Sequence, residues 1–448
     1  MRGLPRIPFL KYILMMNRRL FVYLLFVLSV FLNVCATPVA STPVIHMKQT
    51  NPSGLYRSGD RIIMKTYLEG IDTEYITVKV MKGFDMNYHT YQFKNSKDTI
   101  TVFDEVINEP NTVVVEVHVD ETKASLGAIV DADKFAPVAE RPKDFKAFWK
   151  AQKKALKKLP MEVKETSVQS PDANYITKNI ELNCLGGKPA RGYLAVPKNA
   201  KKRSLPIVIF FHAAGVDGDW CRSTVSRAVQ YAKMGSICFD LNAHGMLNGQ
   251  PEQYYKDLAN GELKNYPQIG VEDRNTTYFR GMYLRLLRTI DYVTSFPEWD
   301  GKRILVIGES QGGGQSLVAA GLDPRVKAVV ATVPAMCDWG GHVIGRKDCW
   351  PYPYTFNKDP QIIKASMPYY DAANIIKGSK ATFVVEIGLV DFTCVSSAIH
   401  AALNGVKGKK ILLDVPYRAH HMEQPIYQKE WQENVVSKKD DFVRDYLK

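Results

Sequence analysis

Gly308-Glu309-Ser310-Gln311-Gly312 decides how this chain reads. It follows the apolar run Arg303-Ile304-Leu305-Val306-Ile307. It precedes Gly313-Gly314-Gln315-Ser316-Leu317-Val318-Ala319-Ala320, which reads as a helix. A serine hydroxyl is a poor nucleophile unless a base takes its proton and the chain holds it in the open. A sharp strand-to-helix turn does the second job, and small residues on both sides let strand and helix approach closely. A chance G-x-S-x-G in a glycine-rich loop would lack the buried-type strand before it and the helix after it.

Working outward, strands and helices alternate. Pro206–His212 reads as a strand, Thr224–Lys233 as a helix, Ser236–Leu241 as a strand and Gly281–Thr294 as a helix. The serine strand and helix follow. Then come a strand at Val326–Thr332, a long insertion, a strand at Thr382–Ile387, a helix, and a strand at Lys410–Val415. Two further strands, Tyr175–Leu182 and Arg191–Val196, precede this series. Apolar strands in repeated β–α units predict a mostly parallel sheet covered by helices. With the serine turn, that is the α/β-hydrolase fold.

The stretch 41–135 differs. Arg61–Tyr67, Tyr75–Val80 and Thr112–Val119 are β-branched, partly alternating and separated by turn clusters such as Ser58-Gly59-Asp60. They predict a small β-sandwich-like N-terminal domain. No residue in it is assigned chemistry; His89 and His118 read as surface or packing residues. The catalytic domain is placed at 136–448. It opens on Arg141-Pro142-Lys143-Asp144 and a helix whose Phe145, Phe148, Trp149 and Leu156 form a core stripe.

Composition narrows the class. The 448 residues are 46% hydrophobic and 23% charged, values of a globular protein. Residues 1–36 follow the order of a signal peptide: Arg18-Arg19, the apolar run Leu20–Leu32, then small residues at Val34-Cys35-Ala36. The run is short for a membrane span. The expectation is a periplasmic or secreted protein with no stable membrane span after cleavage. Removing the five basic residues of 1–36 from a net charge of +13 leaves about +8. Lys153, Lys154, Lys157 and Lys158 read as a solvated helix face, so no nucleic-acid partner is expected. Six cysteines lie beyond residue 36, with no C-x-x-C pair and no metal-type spacing. A Cys337–Cys349 bridge is conceivable in an exported chain.

A serine turn of this kind predicts its partners in the order Ser, Asp or Glu, His. Asp391 stands just past the strand ending in Ile387-Gly388. His420 and His421 lie in the loop after the last apolar strand. Asp371 is a weaker alternative, because it precedes its strand. In such a triad His takes the serine proton, and the acid fixes the tautomer of the imidazole. The oxyanion donors are expected at the amide of Gln311 and in the loop His212-Ala213-Ala214-Gly215. His212 itself reads as structural.

Residues 140–425 resemble the acetyl xylan esterase / cephalosporin C deacetylase family of carbohydrate esterases. The resemblance rests on Arg141-Pro142-Lys143-Asp144-Phe145 with Phe148-Trp149, on Arg280-Gly281, and on Gly308-Glu309-Ser310-Gln311-Gly312-Gly313. Val333–Asp338 and Gly388-Leu389-Val390-Asp391 with Cys394 add to it. It implies Ser310 as nucleophile, Asp391 as acid and His420 as base, with His421 as the alternative base. It implies the amides of Ala214 and Gln311 as oxyanion donors. Met282, His421 and Ala213 depart from the family's Gln, Glu and Gly.

The resemblance implies an exported serine esterase that removes acetyl groups from polysaccharides or oligosaccharides, with an acetylated carbohydrate as partner and no cofactor or metal. A serine hydrolase for peptides or larger acyl esters stays open, as does an inactive carbohydrate-binding protein of this fold. The aromatic insertion Cys349–Tyr354 offers Trp350 and Tyr352 for sugar stacking. It reads equally as a packed loop or as a contact in a homo-oligomer. The polar connection Asn248–Tyr278 reads as a candidate lid.

Overall fold

The computed structural model describes residues 43–96 and 98–448, so the expected signal segment 1–36 lies outside the described residues. Eight strands come first: β1 (Val44–Gln49), β2 (Leu55–Tyr56), β3 (Arg61–Glu69), β4 (Tyr75–Lys82), β5 (His89–Lys94), β6 (Ile100–Val106), β7 (Asn111–Val119) and β8 (Thr122–Val130). They form a three-stranded sheet in the order β1-β3-β6 and a five-stranded sheet in the order β2-β8-β7-β4-β5. The expected two-sheet arrangement of the N-terminal stretch is present. The strands run a few residues longer than the β-branched cores suggested, because pairing carries polar ends into the ladder.

Nine strands follow: β9 (Val163–Ser167), β10 (Tyr175–Leu182), β11 (Ala190–Pro197), β12 (Leu205–Phe211), β13 (Ile237–Asn242), β14 (Trp299–Glu309), β15 (Ala328–Thr332), β16 (Thr382–Gly388) and β17 (Lys410–Val415). Their order is β17-β16-β15-β14-β12-β13-β11-β10-β9. The pairs from β13 through β12, β14, β15 and β16 to β17 are parallel. The β9, β10 and β11 edge is antiparallel. The central strands read as continuous apolar runs because helices cover both faces. All six residues of β13 are buried. This is the α/β-hydrolase fold with a strand-rich N-terminal region.

The helix Phe145–Lys158 buries Phe145, Phe148, Trp149, Gln152 and Leu156. Lys153, Lys154, Lys157 and Lys158 occupy its exposed side, as helical spacing predicts. The Asn248–Tyr278 connection is not one open loop. It contains the helix Glu252–Asn260 and buries Tyr255, Leu263, Tyr266 and Val271. Among the described residues no helix is long and apolar enough to cross a membrane. Cys337 and Cys349 are free thiols, so the conceivable bridge is absent; both are fully buried, in a core where thiols pack as small apolar groups.

Residues Ile45–Tyr67 and Thr73–Lys448 form one compact unit. Met81, Val114 and Ile129 from the N-terminal strands, with Phe84 from the turn after β4, share a continuous core with Leu389 and Val390 beside β16. On β8 the backbone itself makes the contact. Gly127 N donates to Pro416 O at 2.7 Å, and a Cβ on Gly127 would sit 2.4 Å from Leu389 O. The atom in the way is backbone, so it cannot swing aside. Gly127→Ala is expected to lower the unfolding free energy by about 1–3 kcal/mol, the usual cost of overpacking. A lower urea midpoint with an unchanged slope checks it.

Candidate active site

Four parallel strands deliver the site at their carboxyl ends, where ligands bind in open α/β sheets. β14 ends in Glu309 and leads into Ser310, and the helix Gln311–Leu322 begins at the next residue. Ser310 takes φ 53° and ψ −119°, a conformation that L-residues rarely adopt. The flanking glycines allow it. A Cβ on Gly308 would sit 2.3 Å from the Gly312 carbonyl, and a Cβ on Gly312 would sit 2.3 Å from Phe211 O. The turn is pinned from β15 and the loop after it. Ser310 N donates to Thr332 O at 2.9 Å, and Ser310 O accepts from Ala335 N at 2.9 Å.

β16 leads into Asp391 and β17 into His420. His420 Nε2 lies 3.0 Å from Ser310 Oγ, and His420 Nδ1 lies 2.9 Å from Asp391 Oδ2. Asp391 is fully buried and His420 half-buried. The other carboxylate oxygen of Asp391 accepts from Thr393 N at 2.7 Å and Cys394 N at 2.9 Å. The acid is therefore held by its own loop while one oxygen faces the imidazole. His421 is exposed and stacks edge-on against His420, with ring centroids 5.2 Å apart. Asp371 lies elsewhere. It caps a short helix, accepting from Asp338 N, Trp339 N and Ala373 N, and burial raises its carboxyl to about 7.

The base loop is anchored by the residue two before His420. The Arg418 side chain is 4% exposed, and its NH2 lies 3.3 Å from Glu309 Oε1 and its Nε 3.3 Å from Glu386 Oε1. Glu386 is wholly buried, contacts Lys439, and accepts from Trp431 Nε1 at 2.8 Å. Removing one partner of a buried charge cluster strands the other in a poor solvent. Arg418→Ala is expected to cost about 3 kcal/mol, at the low end of the range because Lys439 still faces Glu386. The urea midpoint measures it.

The expected oxyanion donors sit at two of these strand ends. Gln311 opens its helix, where the first backbone N–H groups have no intrahelical acceptor. Ala214 follows β12, and its carbonyl accepts from Trp220 Nε1 at 2.8 Å. Neither amide has an acceptor among the described residues. His212 is buried against Asp240 and the Trp220 carbonyl, a structural pairing.

Sequence reading missed the support behind this loop. His244, just past β13, is 1% exposed, and its Nε2 lies 2.7 Å from Gly215 O. A carbonyl accepts only, so Nε2 carries the proton, and Nδ1 accepts from the Tyr278 hydroxyl. Burial, with Arg285 nearby, pushes the His244 pKa down to about 3, so the ring stays neutral. Tyr266 donates to Gln311 Oε1 at 2.6 Å and packs edge-on against His244. These groups fix the turn that carries Ala214 and the side chain beside Ser310. The sequence signal was the polar run Asn242-Ala243-His244 directly after an apolar strand.

Trp350 and Tyr352 both bind the acid loop. Trp350 N donates to Thr393 O at 2.9 Å, and its ring stands 6.3 Å from Tyr266. The Tyr352 hydroxyl donates to Thr393 O at 3.1 Å. Among the described residues, Asp391, Cys394 and His420 are the one grouping with metal-ligand spacing. Burial pushes the Cys394 thiol well up, and the Asp391 oxygens are already spent on two amides and the imidazole, a poor donor set for a cation.

The family described as acetyl xylan esterase (AXE1) matches residues 128–438, more than half of the chain. The chain belongs to the acetyl xylan esterase family. It is 33% identical over 303 residues to acetyl esterase Axe7A of Xylanibacter ruminicola, covering 63% of this chain and 64% of that relative. The chain thus spans less than two thirds of that relative's length. Among solved structures, the acetyl xylan esterase from Paenibacillus sp. R4 matches with TM-score 0.57 and 24% identity, over 70% of this chain and 98% of that one. Acetyl xylan esterase 1 from Thermoanaerobacterium sp. JW/SL YS485 matches with TM-score 0.57 and 19% identity, over 71% and 98%. At these identities the two structures establish the fold. The family match begins inside β8, so most of the N-terminal strands lie outside it.

Proposed function

We propose that this protein is a serine esterase that removes acetyl groups from acetylated polysaccharides or oligosaccharides, acetylated xylan first among them. One observation carries the reading: His420 bridges Ser310 and Asp391 at hydrogen-bond distance on both sides, 3.0 Å and 2.9 Å. Membership of the acetyl xylan esterase family supports the substrate class.

The chemistry follows from the geometry. His420 Nε2 takes the Ser310 proton as Oγ attacks the acetyl carbonyl carbon. The carbonyl oxygen becomes an oxyanion, held by the Gln311 and Ala214 amides. The tetrahedral intermediate collapses. The bond to the sugar oxygen breaks, and His420 gives that oxygen its proton. Acetyl-Ser310 remains. Water, deprotonated by His420, attacks its carbonyl carbon; the bond to Ser310 Oγ then breaks, His420 returns the proton to Oγ, and acetate leaves. Asp391 keeps the proton on Nδ1 throughout, so Nε2 is free to accept. Trp350, partly buried beside Tyr266, is the stacking candidate; the Tyr352 hydroxyl is engaged with the acid loop.

The same reading takes 41–135 as the β module and 136–448 as the catalytic module. It takes 1–36 as a cleaved export signal, on the order of its charged, apolar and small-residue segments. Purified protein is expected to release acetate from acetylated xylo-oligosaccharides and to leave peptide amides intact. Peptide cleavage without acetate release would reject the reading.

A further inference from the structure

β7 and β8 pair so that Glu116 faces Ser125 and His118 faces Lys123. Val114 faces Gly127 in the same ladder. Side chains alternate across a strand, so these six positions share one face of the sheet. It is the face whose Gly127 end rests on Leu389 and Pro416. The opposite face carries Val115, Val117, Ala124 and Leu126, all buried. The polar face is thus turned toward the acid and base loops.

It does not close on them completely. A cavity of about 220 Å³ lies between, lined by Glu116, Lys123 and Ser125 on one side and by Phe392, Thr393 and His420 on the other. Its frame is rigid. Gln424, just past the base loop, accepts from Ser125 N at 3.1 Å and donates to Ser125 O at 2.9 Å. Gln424 also donates to Tyr417 O at 2.9 Å. Phe392 is held edge-on by Phe84, with ring centroids 5.5 Å apart. Glu116 is 7% exposed and lies 3.0 Å from His118 Nε2, which sets the direction of its carboxylate.

We infer that this cavity is the subsite for the sugar that leaves, built by the N-terminal strands against His420. The inference rests on the proposed esterase reading and names where its leaving group sits. His420 must protonate the departing sugar oxygen, so the sugar has to lie against that imidazole. The cavity has His420 in its wall together with hydrogen-bonding side chains, and Ser310 lies outside its lining. A carboxylate accepts from neighbouring sugar hydroxyls through charge-assisted bonds, and an ammonium donates to them. Phe392 supplies an apolar ring face. The volume is below the range of about 300–1,000 Å³ that drug-sized ligands fill, which suits one sugar ring rather than a longer chain. Glu116, Lys123 and Ser125 all precede residue 128, where the family match begins. This wall therefore lies outside the part of the chain that the family match covers.

The test compares two leaving groups on the full chain. One substrate is an acetylated xylo-oligosaccharide and the other is 4-nitrophenyl acetate, which has no sugar. Both give the same acetyl-enzyme, so a leaving-group subsite acts through kcat/KM, which reports acylation. Glu116→Gln keeps the side-chain shape, and Lys123→Ala changes an exposed residue, so both are expected to fold. Each is expected to lower the ratio of oligosaccharide to aryl-acetate kcat/KM about tenfold, the scale of one lost charged hydrogen bond. Lys154→Ala, on the exposed side of a distant helix, should leave the ratio unchanged. If Glu116→Gln and Lys123→Ala slow both substrates equally, the strands only position the loops and the subsite is overturned. An unchanged ratio overturns it as well, while wild-type acetate release from the oligosaccharide leaves the esterase reading standing. A wild type that hydrolyses the aryl acetate but ignores the oligosaccharide removes both.

Discussion

Ser310→Ala is expected to lower kcat for acetate release about 10⁶-fold, the scale observed when the serine of a Ser-His-Asp unit is removed. Nothing else among the described residues can replace the hydroxyl at 3.0 Å from His420 Nε2. The oxyanion donors stay in place, so a residual rate about 10³–10⁴ above water is expected. A coupled acetate assay on acetylated xylo-oligosaccharide measures both rates. A fall of less than a hundredfold would mean that acetyl transfer does not pass through Ser310.

The same position makes a stability argument that activity alone cannot. Ser310 holds φ 53° and ψ −119°, and alanine inherits that conformation. Glycine does not resist it. Relief of backbone strain is worth about 1–3 kcal/mol. The extra freedom of an unfolded glycine takes back about 0.5–1 kcal/mol. Ser310→Gly should therefore be more stable than Ser310→Ala by about 1 kcal/mol, though equally inactive. A glycine variant that unfolds first in urea would show that the turn is unstrained.

The parts of this molecule that were legible in sequence share a property: their meaning is local. Gly308–Gly312 specifies a strand-to-helix turn because two missing side chains are needed within five residues. Asp391 and the pair His420-His421 stand just past apolar runs, and chain order ranks them as partners; the choice of His420 within the pair came from the family resemblance. The α/β series was legible because buried parallel strands are apolar throughout. What was hidden depends on contacts between distant segments. Ser125 and Gln424 are 299 residues apart, and nothing local in either foretells the clasp. Glu116, His118, Lys123 and Ser125 alternate with apolar residues, which tells that one sheet face is polar. It does not tell that the face looks onto His420 rather than solvent. His244 was hidden for a related reason: its two partners, Gly215 in the loop after β12 and Tyr278 at the start of a helix, come from distant parts of the chain. Cys337 and Cys349 suggested a bridge by number and compartment, but spacing along a chain says nothing of burial in a shared core.

Asp391→Asn is expected to lower kcat about 10⁴-fold while the fold and KM change little, and the geometry says why. The Asp391 oxygens are not equivalent. Oδ1 accepts two backbone N–H groups, from Thr393 and Cys394, at 2.7 and 2.9 Å. Oδ2 faces His420 Nδ1 at 2.9 Å. An asparagine has one acceptor and one donor end. Its oxygen must take the Oδ1 place, because an NH₂ there would confront two donors inside a buried loop. The NH₂ then points at His420 Nδ1 and can only donate. The imidazole answers by carrying its proton on Nε2, the nitrogen that has to accept from Ser310. The base is present, correctly placed and in the wrong tautomer. The loop keeps its two hydrogen bonds, so thermal unfolding should match wild type closely, whereas Asp391→Ala should lose those bonds and stability together. Nuclear magnetic resonance of the His420 ring checks the tautomer directly. An Asp391→Asn protein that retains more than a tenth of the wild-type kcat, or whose His420 still bears its proton on Nδ1, would assign the acid to another residue.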